Sequence, residues 1–165
     1  MSLFENDEYQ WRETYFVLFD AANRPTTAAF QDLFSSLNKN YEIRDVSSDD
    51  SGEFESLTLI SKDDYAAMDI TCVVNDDIPE QMAQLANEMK ELAGPDELET
   101  INKIPACTAR LEIYHFEQMV FVGSSGPEDE PDDFMDPGSL LVVLERIAAM
   151  CEGIVVDPQS NSLVE

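Results

Sequence analysis

The sequence predicts an α+β fold with an antiparallel or mixed sheet, and three patterns in the chain support this fold class. Residues 106–116, ACTARLEIYHF, alternate between two faces, which is typical of a strand with one buried face. Residues 41–46 and 54–60 also resemble strands, and the turn between them is rich in Ser, Asp and Gly, as in a β-hairpin. Apolar residues recur at helical spacing in three other segments.

The first half of the chain predicts four strands and one helix. Residues 12–20 contain YFVLF, an almost continuous apolar run that suits a strand covered on both faces, or at least a central one. The first predicted helix covers residues 26–38. Its apolar positions, spaced i, i+3, i+4 and i+7, are Phe30, Leu33, Phe34 and Leu37. After the hairpin, residues 68–74 alternate and predict another half-buried strand.

The second half of the chain predicts two more helices around the long strand. Asp77 and Pro79 suit the start of a helix that Gly94 and Pro95 end, and a short helical turn is expected within residues 96–102. The third helix is expected to begin at Asp136 and Pro137. Its inward positions are Leu140, Leu144, Ile147 and Cys151.

The chain after the third helix predicts a helix end and two short strands. Gly153 is the expected C′ residue of the helix, because glycine adopts the left-handed conformation that ends many helices. Residues 154–156 predict a last strand, and the turn DPQSNS leads to a possible final pairing partner, SLV.

The element order β-α-β-β-β-α-β-α-β predicts how the sheet is connected. It contains the ferredoxin-like, split βαβ pattern, with the helices on one face of the sheet and with a third helix and a C-terminal strand added. We expect a single α+β domain over residues 1–165. Residues 1–11 are polar with isolated aromatics and predict an arm, whereas residues 124–136 predict an acidic mobile loop rich in Pro and Gly.

The charge of the chain excludes two classes of partner. Nine Lys and Arg oppose 35 Asp and Glu, giving a net charge of −26, while a hydrophobic content of 44% is that of a folded protein. Such a surface repels phosphate backbones and anionic lipid headgroups, so we expect no nucleic acid and no membrane surface as partner. The remaining interpretations are a solvated surface, a basic partner or a divalent cation.

The cysteines and the N-terminal sequence predict a cytoplasmic protein. Cys72, Cys107 and Cys151 are odd in number and far apart, and none belongs to a CxxC motif. This pattern is typical of reduced thiols packed in a core. The first residues lack the basic and apolar regions of a signal peptide, and no stretch approaches the roughly 20 apolar residues of a membrane helix.

His115 is the only histidine of the chain and the first candidate for catalysis. It lies on the Ile113 side of the long strand, where it could act as a general base with Glu117 or with an acid from another strand. The alternative is a partly buried, hydrogen-bonded histidine at a sheet edge. The sequence pattern places no nucleophile beside His115 and contains no phosphate-binding glycine loop, so it does not complete an active site.

Two acidic segments are candidate metal sites. The first is the acidic loop, whose candidate ligands are Glu128, Asp129, Glu130, Asp132 and Asp133. The second is the turn SSDDSGEFE. Neither has the spacing of a calcium loop, so solvated charge is the favoured interpretation and weak divalent cation binding the alternative. We expect no cofactor.

The outer face of the long strand predicts an interface formed by Arg110, Glu112, Tyr114 and Phe116. Exposed aromatic area of this kind is seldom left in water. We therefore expect a non-catalytic cytoplasmic module that acts by protein–protein contact or by self-association, with a homodimer as one form. The alternative is a small-molecule-binding protein or a small enzyme with a pocket near His115 and neighbouring carboxylates.

Overall fold

The computed structural model of the protein describes residues 9–37, 39, 41–61, 66–118 and 137–164. These residues form an α+β fold with seven strands and four helices, which confirms the predicted fold class. The strands are β1 (Tyr9–Phe19), β2 (Tyr41–Ser48), β3 (Phe54–Ser61), β4 (Ala66–Val73), β5 (Ala109–Gln118), β6 (Ile154–Asp157) and β7 (Ser162–Leu163). The helices are α1 (Thr27–Leu37), α2 (Ile78–Lys90), α3 (Leu98–Ile101) and α4 (Pro137–Cys151).

The strands form one sheet in the order β2-β3-β4-β5-β1-β6-β7. β1 and β5 pair over most of their length at its centre, from Tyr9 opposite Gln118 to Phe19 opposite Ala109. Every pair among the described strands is antiparallel. In a split βαβ unit one antiparallel strand lies between the two strands that the helix joins, whereas three strands, β3, β4 and β5, lie between β1 and β2, which α1 joins. This strand order therefore does not show the predicted ferredoxin-like topology.

Helices cover both faces of the sheet, so the prediction that they lie on one face is wrong. Val17 and Phe19 of β1 belong to the core cluster that α1 and α4 cover. Leu18, between them, belongs to a second cluster that α2 and α3 cover. The continuous apolar run of β1 is the physical reason, because successive side chains of a strand point to opposite faces and all three must leave water.

α4 ends one residue earlier than the sequence predicted. Glu152 has φ 53°, and the amide of Gly153 donates to the carbonyl of Ala148 at 2.8 Å. This 6→1 bond is that of a Schellman motif, which makes Glu152 the C′ residue and Gly153 the C″ residue. The glycine is needed for a different reason, which is its close packing against β1.

Two predicted boundaries shift at the ends of the central strands. β1 begins at Tyr9, so the last residues of the segment predicted as an arm, 9–11, are already strand. Residues 104–106 form a 3-10 turn and β5 begins only at Ala109. Cys107 therefore packs with the α2 cluster, not on the Ile113 face. The predicted acidic loop, residues 124–136, lies outside the described residues.

Candidate functional site

His115 lies inside the protein beside a carboxylate that the sequence did not indicate. On the face of the sheet covered by α1 and α4, it stands opposite Met68 of β4 and Glu13 of β1. The residue is only 5% exposed, and its Nδ1 atom is 3.5 Å from Oε1 of Glu13. Glu13 is an acid from another strand, as the general-base interpretation of His115 required, but the burial of the imidazole restricts access of a substrate.

Glu117, the other candidate beside His115, contacts a different group. Its Oε2 atom is 3.5 Å from Nη1 of Arg12, with 18% of the glutamate side chain exposed. Arg12 is 46% exposed, so this ion pair is largely a surface interaction of small energetic value. The two predicted catalytic residues thus share a strand face, and each has a charged partner on β1.

The predicted interface residues on the opposite face of β5 form a polar network. Arg110 contacts Glu112 through Nη2 and Oε2 at 2.8 Å, and the hydroxyl of Tyr114 donates to Oε1 of Glu112 at 2.9 Å. Arg110 also donates to Oε1 of Gln81 on α2 at 2.6 Å, and its guanidinium lies 5.0 Å from the ring centre of Phe16. These bonds hold Arg110 between the sheet and α2.

Burial on this face distinguishes the two aromatic side chains of the predicted interface. Phe116 is 0% exposed and packs with Ile60 and Ala67, with Tyr114 partly buried beside them. Burial, followed by the hydrogen bond to Glu112, raises the pKa of Tyr114, so its hydroxyl remains a donor at neutral pH. The apolar area of Phe116 is therefore already removed from water within one chain.

The three thiols are poorly suited to nucleophilic chemistry. Burial raises the pKa of Cys107 to about 11 and the pKa of Cys151 to about 12. Burial is also the main cause of the raised pKa of Cys72, with Arg24 acting in the opposite direction. The thiolate is the reactive form, so these cysteines are protonated and unreactive at neutral pH.

The acids of the β2–β3 turn stabilise the turn itself. Asp49 accepts hydrogen bonds from the amides of Ser51 and Glu53 at 2.9 Å each. Its other oxygen lies 3.6 Å from Nη1 of Arg24. No group of three His, Cys, Asp or Glu residues in the described part of the chain could hold a metal ion. The other acidic candidates, Glu128 to Asp133, lie outside the described residues.

A groove that the sequence pattern did not predict lies at the β7 end of the sheet. It has a volume of about 430 Å³ and is formed by α4, α3 and the β6–β7 edge. Its apolar lining includes Leu141, Leu144, Ala148, Ile154, Leu163 and Val164. Glu145 and Thr100 add a carboxylate and a hydroxyl.

α4 exposes two apolar side chains beside this groove. Leu141 is 40% exposed and Val142 is 45% exposed, whereas Val143 and Leu144 are almost fully buried. The sequence signal was the run LLVVL, which is apolar on all sides and exceeds the single stripe that a surface helix needs. Only the packing of α4 reveals which members of the run remain in water.

Comparison with protein-family models, with curated proteins and with solved structures found no significant match. The fold and the site define the class: a strongly acidic α+β protein with a seven-stranded antiparallel sheet and an apolar groove at one edge. None of the helices in the described residues has the length and apolar character needed to cross a membrane.

Proposed function

We propose that this protein is a non-catalytic binding module that acts in the cytoplasm through contact with another protein. The observation that carries the proposal is the exposure of Leu141 and Val142 on α4 beside an apolar groove. Grouped apolar side chains on the surface of a soluble protein mark interaction sites, since their exposure to water is unfavourable. Three free cysteines support a reducing compartment.

The chemistry of the candidate residues favours binding over catalysis. A general base must reach the proton that it removes, and His115 is buried against Glu13. A nucleophilic cysteine needs a lowered pKa, and burial raises the pKa of all three thiols. An interaction surface requires neither group, which is why the geometry supports a binding module best.

Self-association is the second form of the same proposal. A homodimer through Arg110, Glu112, Tyr114 and Phe116 would use the sheet face that the sequence predicted, although Phe116 is already buried there. A homodimer through the exposed residues of α4 would bury more new apolar area. In both cases two chains of charge −26 repel each other, so salt should strengthen the dimer by screening.

Site-specific photo-crosslinking tests the proposal. A photo-reactive amino acid is placed at Val142 and, as a matched control, at Val46, a valine that is 38% exposed on β2 at the opposite edge of the sheet. We expect a discrete adduct in cells from position 142 and none from position 46. The adduct should form again when the identified partner is purified and mixed with the protein.

The mass of the adduct distinguishes the two forms of the proposal. A product of twice the chain mass indicates self-association, which sedimentation at low and high salt then measures directly. A product with another protein indicates a heterologous complex. Equal labelling from Val142 and Val46, or no adduct from Val142, would contradict protein binding through α4.

The size of the groove favours one other candidate function, the binding of a small molecule. A volume of about 430 Å³ falls within the range of small-molecule sites. This candidate differs from the predicted pocket near His115, since that residue is not part of the groove lining. A thermal-shift screen against metabolites and divalent ions tests it, because a specific ligand raises the melting temperature by mass action.

A further inference from the structure

We infer that the groove formed by α4, α3 and the β6–β7 edge binds an apolar side chain carried by a positively charged segment of the partner protein. This inference rests on the proposed function and adds the chemistry of the partner. It follows from the apolar lining, from the charge at the groove and from the packing that supports it.

The apolar lining of the groove favours an apolar side chain of the partner, which we call the anchor. Leu144 is 1% exposed at its base, whereas Leu141 is 40% exposed at the same groove, so the lining extends from the core to the surface. Leu163 of β7 and the adjacent Val164 add further apolar side chains to the lining. A leucine-sized side chain placed there would leave water on contact with these residues, which stabilises a complex.

The negative charge of the protein favours a basic segment on either side of that anchor. Of the described residues that line the groove, Glu145 alone is charged. The whole chain carries a net charge of −26, so its field attracts cations and repels acidic segments. The same field disfavours a second copy of the chain as the occupant, because each copy brings the same excess of carboxylates.

The groove is supported by tight packing behind it. Gly153 lies at the groove and packs against Val17 and the backbone of Leu18 in β1, and both of those residues are 0% exposed. The adjacent amide of Val164 donates to the carbonyl of Val155 at 3.0 Å, which joins β7 to β6. A lining held in this way loses little conformational freedom when a ligand binds.

Fluorescence anisotropy with synthetic peptides on the purified, full-length protein tests the inference. The first peptide carries leucine anchors flanked by lysine and arginine. The second replaces the anchors with serine, and the third replaces the basic flanks with glutamate. We expect the first to bind, the second to bind about 10- to 100-fold more weakly, and the third not to bind. Added salt should weaken the first complex.

Paired variants locate the binding site. Leu141→Ser removes an exposed part of the lining, and Val46→Ser is its control on the opposite edge of the sheet. Glu145→Lys reverses the charge of the lining, and Asp50→Lys makes the same charge change in the exposed β2–β3 turn. We expect each groove variant to weaken the first peptide several-fold more than its control. If Leu141→Ser lowers the melting temperature, its weaker binding could reflect partial unfolding. The comparison of Glu145→Lys with Asp50→Lys then decides whether the peptide binds at the groove.

The possible results separate this inference from the proposed function. Equal losses in groove and control variants would mean that the peptide binds through general charge, which overturns the inference. If the basic peptide does not bind but Val142 gives a specific adduct, the inferred partner chemistry is wrong. The proposed function, contact with another protein through α4, would still stand. Tighter binding of the serine peptide or of the acidic peptide would contradict the anchor and the charge argument, respectively.

Discussion

Gly153 packs directly against Val17, at the point where the chain leaves α4 and enters β6. A Cβ atom built on Gly153 would lie 2.6 Å from Cγ1 of Val17 and 3.0 Å from the carbonyl oxygen of Leu18. Real Cβ atoms do not approach other heavy atoms as closely as the first of these distances, so a larger residue would displace β1 or the end of α4. The absence of a side chain at this position allows α4 to turn directly into the sheet.

The adjacent positions 152 and 153 therefore have opposite responses to substitution. Gly153→Ala should destabilise the protein by about 1–3 kcal/mol, the usual cost of overpacking a core. Glu152→Gly should stabilise it by up to about 1 kcal/mol, because the left-handed φ of 53° costs a residue with a Cβ atom about 1–2 kcal/mol, more than the roughly 0.5–1 kcal/mol of entropy that glycine loses on folding. Urea unfolding of both variants measures the difference. Stabilisation by Gly153→Ala would show that this contact is absent.

Arg24 joins the turn between β2 and β3 to the segment before α1. Its Nε and Nη2 atoms donate to the carbonyl of Phe54 at 3.0 and 2.7 Å, and its side chain is only 17% exposed. We expect Arg24→Ala to reduce the free energy of unfolding by about 1.5–3 kcal/mol. Arg24→Lys should recover part of this loss, since lysine keeps the charge but lacks the planar donor pair.

Arg44 is the matched control for Arg24. It forms an ion pair with Glu42 at 2.8 Å, but its side chain is 53% exposed. Arg44→Ala should cost no more than about 1 kcal/mol in the same urea titration. Equal losses for the two alanine variants would mean that the buried bonds of Arg24 contribute no more than a surface pair.

Leu111 and Leu144 are central to the core between the sheet, α1 and α4. They are 0% and 1% exposed, respectively, and belong to the same cluster. Each substitution by alanine should destabilise the protein by about 2–5 kcal/mol, since it removes buried methyl groups and leaves a cavity. Leu92→Ala, at a position that is 73% exposed, provides the control and should change stability by less than about 0.5 kcal/mol. Denaturant melts give all three values.

The buried thiols make stability decrease at alkaline pH. In the folded protein the pKa of Cys107 is raised to about 11 and that of Cys151 to about 12, whereas both thiols return to ordinary values on unfolding. A raised folded-state pKa contributes stability that is complete below the unfolded value, about 8.5, and is lost as the pH rises towards the folded value. The free energy of unfolding should therefore fall between about pH 8.5 and 12.

Thiol variants show whether the cysteines cause this pH dependence. Cys107→Ala and Cys151→Ala should each make the loss of stability above about pH 8.5 less steep, because one titrating group is removed. A thiol reagent should label the native protein much more slowly than the urea-unfolded protein at neutral pH. Rapid labelling of the native protein, or an unchanged slope in both variants, would contradict the burial of these thiols.

The sequence predicted the local elements well because their signals are local. The stripe of Phe30, Leu33, Phe34 and Leu37 predicted residues 26–38, and α1 spans Thr27–Leu37. The turn between 46 and 54 predicted the hairpin that β2 and β3 form. Periodicity and turn composition depend only on residues close together in the chain, so they can be recognised without knowledge of the rest of the fold.

The candidate site was harder to predict than the elements. The alternation of β5 correctly put His115 on the Ile113 face, but it could not show that Glu13 lies opposite the histidine in β1. It also put Cys107 on that face, because composition did not show that β5 begins at Ala109. The exposure of Leu141 and Val142 depends on how α4 packs, and periodicity cannot predict it because the run LLVVL is apolar on all sides of the helix.

By itself the sequence determined the α+β class, the positions of the main helices and strands, and the net charge of −26. These properties follow from composition and short-range pattern. Only the tertiary structure decided the strand order, the covering of both sheet faces and the groove beside α4. The physical reason is that strand pairing and helix packing join residues far apart in the chain, and the choice among pairings depends on burying all apolar faces at once.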